Sequence, residues 1–231
     1  MRIVLILGSG PSVVSCADWP RAPFDRIVAI NNAWRVRDDW DDLIHPSDFP
    51  SDRMPTDLRA GQRVVTADDY VPVQNEFGGF VYAGGTMAFT AGYWALGALK
   101  PDVMAFLGCD MVYPDSGATH FYGTGTADPL RQDVTLRSLP AKSARLQVMA
   151  AQRGCACVNL STGESRLVFP RARPEDLPVK PAAFDADSAP AALAEEVRLD
   201  YVVPSGKYWK EESRFDPAAI DALDALWLRA V

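Results

Sequence analysis

Only two histidines occur in this chain, His45 and His120. An imidazole changes protonation near neutral pH, so each is a candidate for acid–base work. His120 stands in Tyr113-x₅-Thr119-His120-Phe121-Tyr122-Gly123-Thr124. There a histidine, two tyrosines and two threonines with glycines between look more like a site than a spacer. His45 opens His45-Pro46-Ser47-Asp48, where Ser47 and Asp48 offer groups for a ribose hydroxyl or a metal-bound phosphate. A third cluster is Gly8-Ser9-Gly10-Pro11-Ser12, small residues that let main chain approach a phosphate closely. It lacks the third glycine of the dinucleotide fingerprint and the Gly-Lys-Ser/Thr of a P-loop. Asn31-Asn32 adds two amides, each both donor and acceptor, suited to a base or ribose. Gly85 and Thr86 precede an apolar helix whose N-terminus could receive an anion, and Asp110 follows a central strand.

These clusters share one position in the pattern: each follows a short apolar run. Residues 2–7, 26–30, 42–44, 63–65, 102–107 and 155–160 read as strands. Residues 84–99 and 141–153 read as helices, stopped by Pro101 and Gly154. The alternation predicts an α/β fold, a Rossmann-like doubly wound parallel sheet with a C-terminal extension ending in a helix. In such sheets ligands bind at the carboxyl ends of the strands, so the clusters should meet in one crevice. Residues 50–80 and 113–132 read as variable loops able to contact an acceptor. Residues 1–170 form the expected nucleotide-binding catalytic domain. Residues 171–231 form a proline-punctuated strap and a terminal helix, capped by Asp216-Pro217 and carrying the stripe Ile220, Leu223, Leu226, Trp227.

The chain has 231 residues, with 30 acidic against 23 basic side chains and a net charge of −7. That balance disfavours nucleic acid as a partner. Few basic residues, Arg35, Arg37 and Arg131, fall near the expected crevice, so an anion must be held mainly by amides. No apolar run reaches 18 residues, which excludes a transmembrane span. The opening apolar run reads as a first strand rather than a secretory leader. Four cysteines without a C-x-x-C spacing read as buried thiols in a cytoplasmic protein.

Taken in order, the motifs resemble a Rossmann-like superfamily over residues 1 to about 170. They are Gly8-x-Gly10-Pro11-Ser12, Asn31-Asn32, Pro46-Ser47-Asp48 and Gly84-Gly85-Thr86. A long pattern follows from Gly108-x-Asp110-Met111-x-Tyr113 to Thr119-His120-x-x-Gly123-Thr124, and then Val158-Asn159-Leu160-Ser161-Thr162-Gly163. One branch of that superfamily holds the archaeal 6-hydroxymethylpterin diphosphokinase and the motility-associated flagellin glycosyltransferases. The other holds the bacterial CMP-sialic acid transferases of glycosyltransferase family 42. The opening loop, Asn31 and His45-Pro46-Ser47 are similar to the sialyltransferase pattern. Its catalytic histidine, however, falls at Thr124 here, and its arginine before the glycine-rich helix has no counterpart near Tyr82-Ala83-Gly84. The resemblance implies a glycosyltransferase using a nucleotide-activated sugar of the CMP type, with no cofactor. The alternative it implies is a Mg²⁺-dependent pyrophosphokinase with Asp48 and Asp110 as metal ligands. A non-catalytic nucleotide-binding module is the third reading. Acceptor and oligomeric state are open at this stage.

Overall fold

The computed structural model describes residues 1–113, 117–124 and 131–231. Its centre is a six-stranded, wholly parallel sheet. The strands are β1 (Ile3–Leu7), β2 (Arg26–Ile30), β3 (Asp42–Ile44), β4 (Arg63–Val65), β5 (Val103–Leu107) and β6 (Ala156–Asn159), in the order β4-β3-β2-β1-β5-β6. This is the α/β, Rossmann-like layout expected. Both faces of the central strands are buried, which is why they read as unbroken apolar runs.

Alternate residues divide the core in two. Val4, Ile6, Val28, Met104 and Phe106 face one layer, and Ile3, Leu5, Leu7, Ile27, Val103 and Leu107 face the other. The first layer is covered by α-helices: α1 (Ala67–Glu76), α3 (Met87–Trp94, continued by a π turn over Ala95–Leu99) and α4 (Leu139–Ala151). A four-residue turn, α2 (Phe80–Ala83), precedes α3. The second layer is covered differently. The connections after β1 and β2 are 3₁₀ helices, Pro11–Cys16 and Asn31–Arg35, and the strap residues Ala172, Leu177 and Val179 complete the cover. The winding is therefore double, but among the described residues only one face carries full α-helices.

Residues 50–80 are not wholly loop. A capping box, in which Thr66 N–H donates to the Asp69 carboxylate (2.8 Å), starts α1, and Pro72 lies inside that helix. The extension holds two helices, α5 (Ser188–Leu199) and α6 (Pro217–Arg229). As expected, the Asp216 carboxylate caps α6 by accepting from Ala218 N–H (2.9 Å), and Ile220, Leu223 and Trp227 are buried. Both helices dock on α4 through buried ions. Arg145 donates to Glu196 through Nε (2.6 Å) and Nη2 (2.7 Å), and Trp227 Nε1 donates to the same carboxylate (2.8 Å). Lys142 Nζ donates to Asp224 (2.7 Å).

Among the described residues no helix is long and apolar enough to cross a membrane. All four cysteines are buried free thiols. Burial pushes Cys16 up to about 11 and Cys155 to about 12, and Cys109 and Cys157 are raised further.

Candidate functional site

β1 lies between β2 and β5, where successive connections leave the sheet in opposite directions. Ligands favour the carboxyl ends of strands at such a point. A cavity of about 300 Å³ opens there. Of the residues singled out by sequence, Gly8, Ser9, Gly10, Pro11, Asn31, Asn32, Asp48, Thr86, Asp110, Tyr113, His120 and Tyr122 line it. Ser12, His45, Ser47 and Gly85 do not.

The β1 loop owes its glycines to the neighbouring strand. Gly8 N–H donates to the Leu107 carbonyl and Gly10 N–H to that of Gly108, each at 2.8 Å. A Cβ on Gly8 would stand 2.3 Å from the Gly108 carbonyl oxygen, and one on Gly10 2.8 Å from it. Two of the amides expected to cradle a phosphate are thus engaged, and Pro11 has none. Those of Ser9 and Ser12 have no partner among the described residues. The helix that follows is a single 3₁₀ segment of six residues. Ser12 turns its hydroxyl to Asp110 (3.3 Å) and Ser161 (3.2 Å).

Three side-chain oxygens on this wall are buried without a partner: Ser9 Oγ, Asn31 Oδ1 and Asn32 Oδ1. Asn32 is only 3% exposed. An unmatched buried acceptor costs about 1–3 kcal/mol, so such groups require explanation. Asn31 also holds a left-handed backbone (φ 53°), as does Met111 (φ 53°) beyond β5. Strained residues of this kind concentrate at ligand sites.

Asp110 is fixed from behind. Asn159 Nδ2 donates to its Oδ1 (3.1 Å), and Asn159 Oδ1 accepts from Ser161 N–H (2.9 Å). Asn159 is fully buried at the end of β6. The Asn-x-Ser pattern carries no sign of this role by itself, since contact with Asp110 depends on β5 and β6 being neighbours.

His120 sits in a tight turn closed by reciprocal main-chain bonds with Gly123 (2.9 and 3.0 Å) and clipped to the β1 loop, where Phe121 N–H donates to the Ser9 carbonyl (3.0 Å). Its Nδ1 is 2.9 Å from Thr119 Oγ1. The ring stacks on Tyr122 (5.0 Å between centroids) and lies 5.9 Å from Tyr113. Other parts of the 113–132 loop, 114–116 and 125–130, fall outside the described residues, Asp115 among them.

His45 is half-buried away from the cavity. Its Nδ1–H donates to the Pro46 carbonyl (2.8 Å), and its ring packs on Phe49 (5.4 Å). Ser47 is exposed off the wall. Gly85 serves the extension: its amide donates to Thr135 Oγ1 (3.0 Å), and an added Cβ would meet the Tyr208 hydroxyl at 2.5 Å. Thr86 is on the wall and caps α3 by accepting from Phe89 N–H (3.3 Å). Met87 and Ala88, the first residues of α3, line the cavity beside it.

No family model matches this chain, nor does any curated protein or solved structure.

The basic residues are arranged differently from expectation. Arg35 and Arg37 line a separate groove, and Arg131 reaches the Gly85 carbonyl (3.2 Å) and the Tyr208 hydroxyl (3.1 Å). Arg53, which carries no motif, is the cation of the cavity wall among the described residues. Chemically the wall offers unmatched acceptors, two carboxylates, one guanidinium and a histidine between two tyrosines.

Proposed function

We propose that this chain is a nucleotide-dependent transferase acting on a nucleotide-activated sugar of the CMP type, in line with the families its motifs resemble. One observation carries the reading. Ser9, Asn31 and Asn32 hold unpartnered buried oxygens on a switch-point cavity that also contains His120. Acceptors of this kind are matched by ribose hydroxyls and an exocyclic base amine. The phosphate then falls to the first amides of α3, the Ser9 amide and Arg53. A single cation opposite Asp48 and Asp110 suits one phosphate better than three. His120 Nδ1 lies 2.9 Å from Thr119 Oγ1; in the tautomer in which Nδ1–H donates to that hydroxyl, Nε2 is the basic nitrogen that takes the proton of an acceptor hydroxyl. Tyr113 and Tyr122 supply hydroxyls near the leaving phosphate.

Titration calorimetry with CMP, UMP, GMP and ATP tests the reading. CMP is expected to bind best, and donor-sugar hydrolysis is expected to fall with His120→Ala. No binding of any cytidine nucleotide at millimolar concentration would sink it.

The pyrophosphokinase alternative draws on Asp48 and Asp110 sharing the wall. Those two carboxylates would hold Mg²⁺, which would supply charge neutralisation for a triphosphate. Asp110 accepts one hydrogen bond on each oxygen and retains lone pairs for a cation. Magnesium-dependent ATP binding that is lost in Asp110→Ala would favour this alternative.

A further inference from the structure

A second, larger concavity of about 750 Å³ lies on the face covered by 3₁₀ helices. Trp19, Trp34 and Trp40 line it; Trp40 is 3% exposed and belongs to the core, so the half-buried Trp19 and Trp34 are the rings that present surface. Trp34 and Arg35 end the same 3₁₀ helix whose first residues, Asn31 and Asn32, line the switch-point cavity. Trp34 Nε1 donates to the carbonyl of Arg53 (3.1 Å), the cation on that cavity's wall. This helix lines both spaces, and its Trp34 is bonded to the segment that carries Arg53.

The groove's charges cancel, because four arginines and four aspartates line it. Most are paired in advance. Arg37 makes a two-pronged bond to Asp39 (2.8 Å each), and Arg59 pairs with Asp38 (2.8 Å). Arg35, whose guanidinium lies 5.4 Å above the Trp34 ring, makes no hydrogen bond among the described residues, nor do the Asp18 and Asp57 side chains. A polyanion finds no net positive field here. A proline-rich peptide would meet the tryptophans but would leave the aspartates without donors. A pyranose presents both an apolar C–H face and a rim of hydroxyls that donate and accept. That combination matches the half-buried Trp19 and Trp34 rings, bordered by planar charged groups.

We propose that this groove binds a neutral oligosaccharide. Its role as the acceptor, led toward His120 past Trp34 and Arg53, rests on the transferase reading; the binding itself does not. The test titrates lactose, cellotriose, chitotriose and maltotriose into the full chain, following tryptophan fluorescence and heat, with CMP titrated in parallel. At least one saccharide is expected to bind and to perturb the fluorescence. Trp34→Ala should weaken it about tenfold, a change of roughly 1.4 kcal/mol. Arg35→Ala, at an exposed position where folding is not at stake, should weaken it severalfold and leave CMP affinity unchanged. Absence of saccharide binding alongside normal CMP binding overturns the proposal and spares the transferase reading. Saccharide binding without nucleotide binding supports the groove and removes the transferase. Preference for a proline-rich peptide, or wild-type saccharide affinity in both variants, also overturns the proposal.

Discussion

Replacing Asn32 by leucine tests whether the unmatched oxygens belong to a ligand. Asn32 is 3% exposed, and its Oδ1 has no protein partner. Leucine has similar bulk and removes an acceptor whose unmatched burial costs about 1–3 kcal/mol. The free protein should therefore gain about 1–3 kcal/mol. For a chain of this size each kcal/mol moves Tm by about 2–4 °C, so a rise of about 2–12 °C is expected. Nucleotide binding should move the other way. Losing the hydrogen bond and leaving the ligand's donor unmatched should weaken CMP at least about tenfold. Thermal melts with and without saturating CMP read both effects, because bound ligand raises Tm in proportion to RT ln(1 + [L]/Kd). The variant should melt higher alone and respond less to CMP. A variant that melts lower than the parent and keeps the full CMP response would refute the reasoning, since the oxygen would then be satisfied without ligand.

Further outcomes follow from the packing. Glu196→Ala strands the Arg145 guanidinium, whose side chain is 0% exposed, and should cost about 3–5 kcal/mol by urea unfolding; Arg145→Met with Glu196→Met together should recover much of it. Gly8→Ala drives a Cβ to 2.3 Å from the Gly108 carbonyl oxygen and should destabilise by about 1–3 kcal/mol, with the loss visible as a lower urea midpoint. Burial pushes the Asp133 carboxyl up, but hydrogen bonds from Thr135, Tyr208 and Arg131 outweigh it and hold the group below the usual carboxylate range. Its stabilising contribution is complete above the unfolded value of about 3.9 and is lost as pH falls through the lowered folded value. Melts between pH 5 and 2 should show a shallower acid limb in Asp133→Asn than in the parent. At pH 8 all four thiols should resist a disulfide reagent in the native protein and react on adding urea, because burial raises every one of them.

The strands were legible because a strand buried on both faces leaves a continuous apolar run, and β1, β2 and β5 have one. The helices of the 67–76 and 188–199 segments were not, since each has a proline inside its span, Pro72 and Pro190. Capping signals could have exposed them: Thr66 with Asp69 before the first, and Asp185 accepting from Ser188 N–H (2.6 Å) at the second. The 3₁₀ character of the segments after β1 and β2 carries no periodic signature over five or six residues. At the site, sequence position brought most of the motif residues to one cavity, but the glycines had two explanations. Gly8, Gly10 and Gly85 mark close approach, and the approaching groups are Gly108 and Tyr208, which lie 75 or more residues away in the chain. Arg53 and the Asn159–Asp110 pair had no local signal of their own. The tryptophan groove also needed the fold, since its residues are drawn from three successive connections along one face.

The two main-chain bonds that tie Gly8 and Gly10 to the ends of β5 have an entropic consequence. Ordering a backbone residue costs about 1–2 kcal/mol, and here that cost is met during folding, when β1 and β5 pair along their full length. A ligand arriving at the cavity floor meets a surface already set and immobilises little of it. Its free energy of association is not reduced by loop ordering there. Amide exchange at Gly8 and Gly10 should accordingly be as slow as in the strands themselves, even in the free protein.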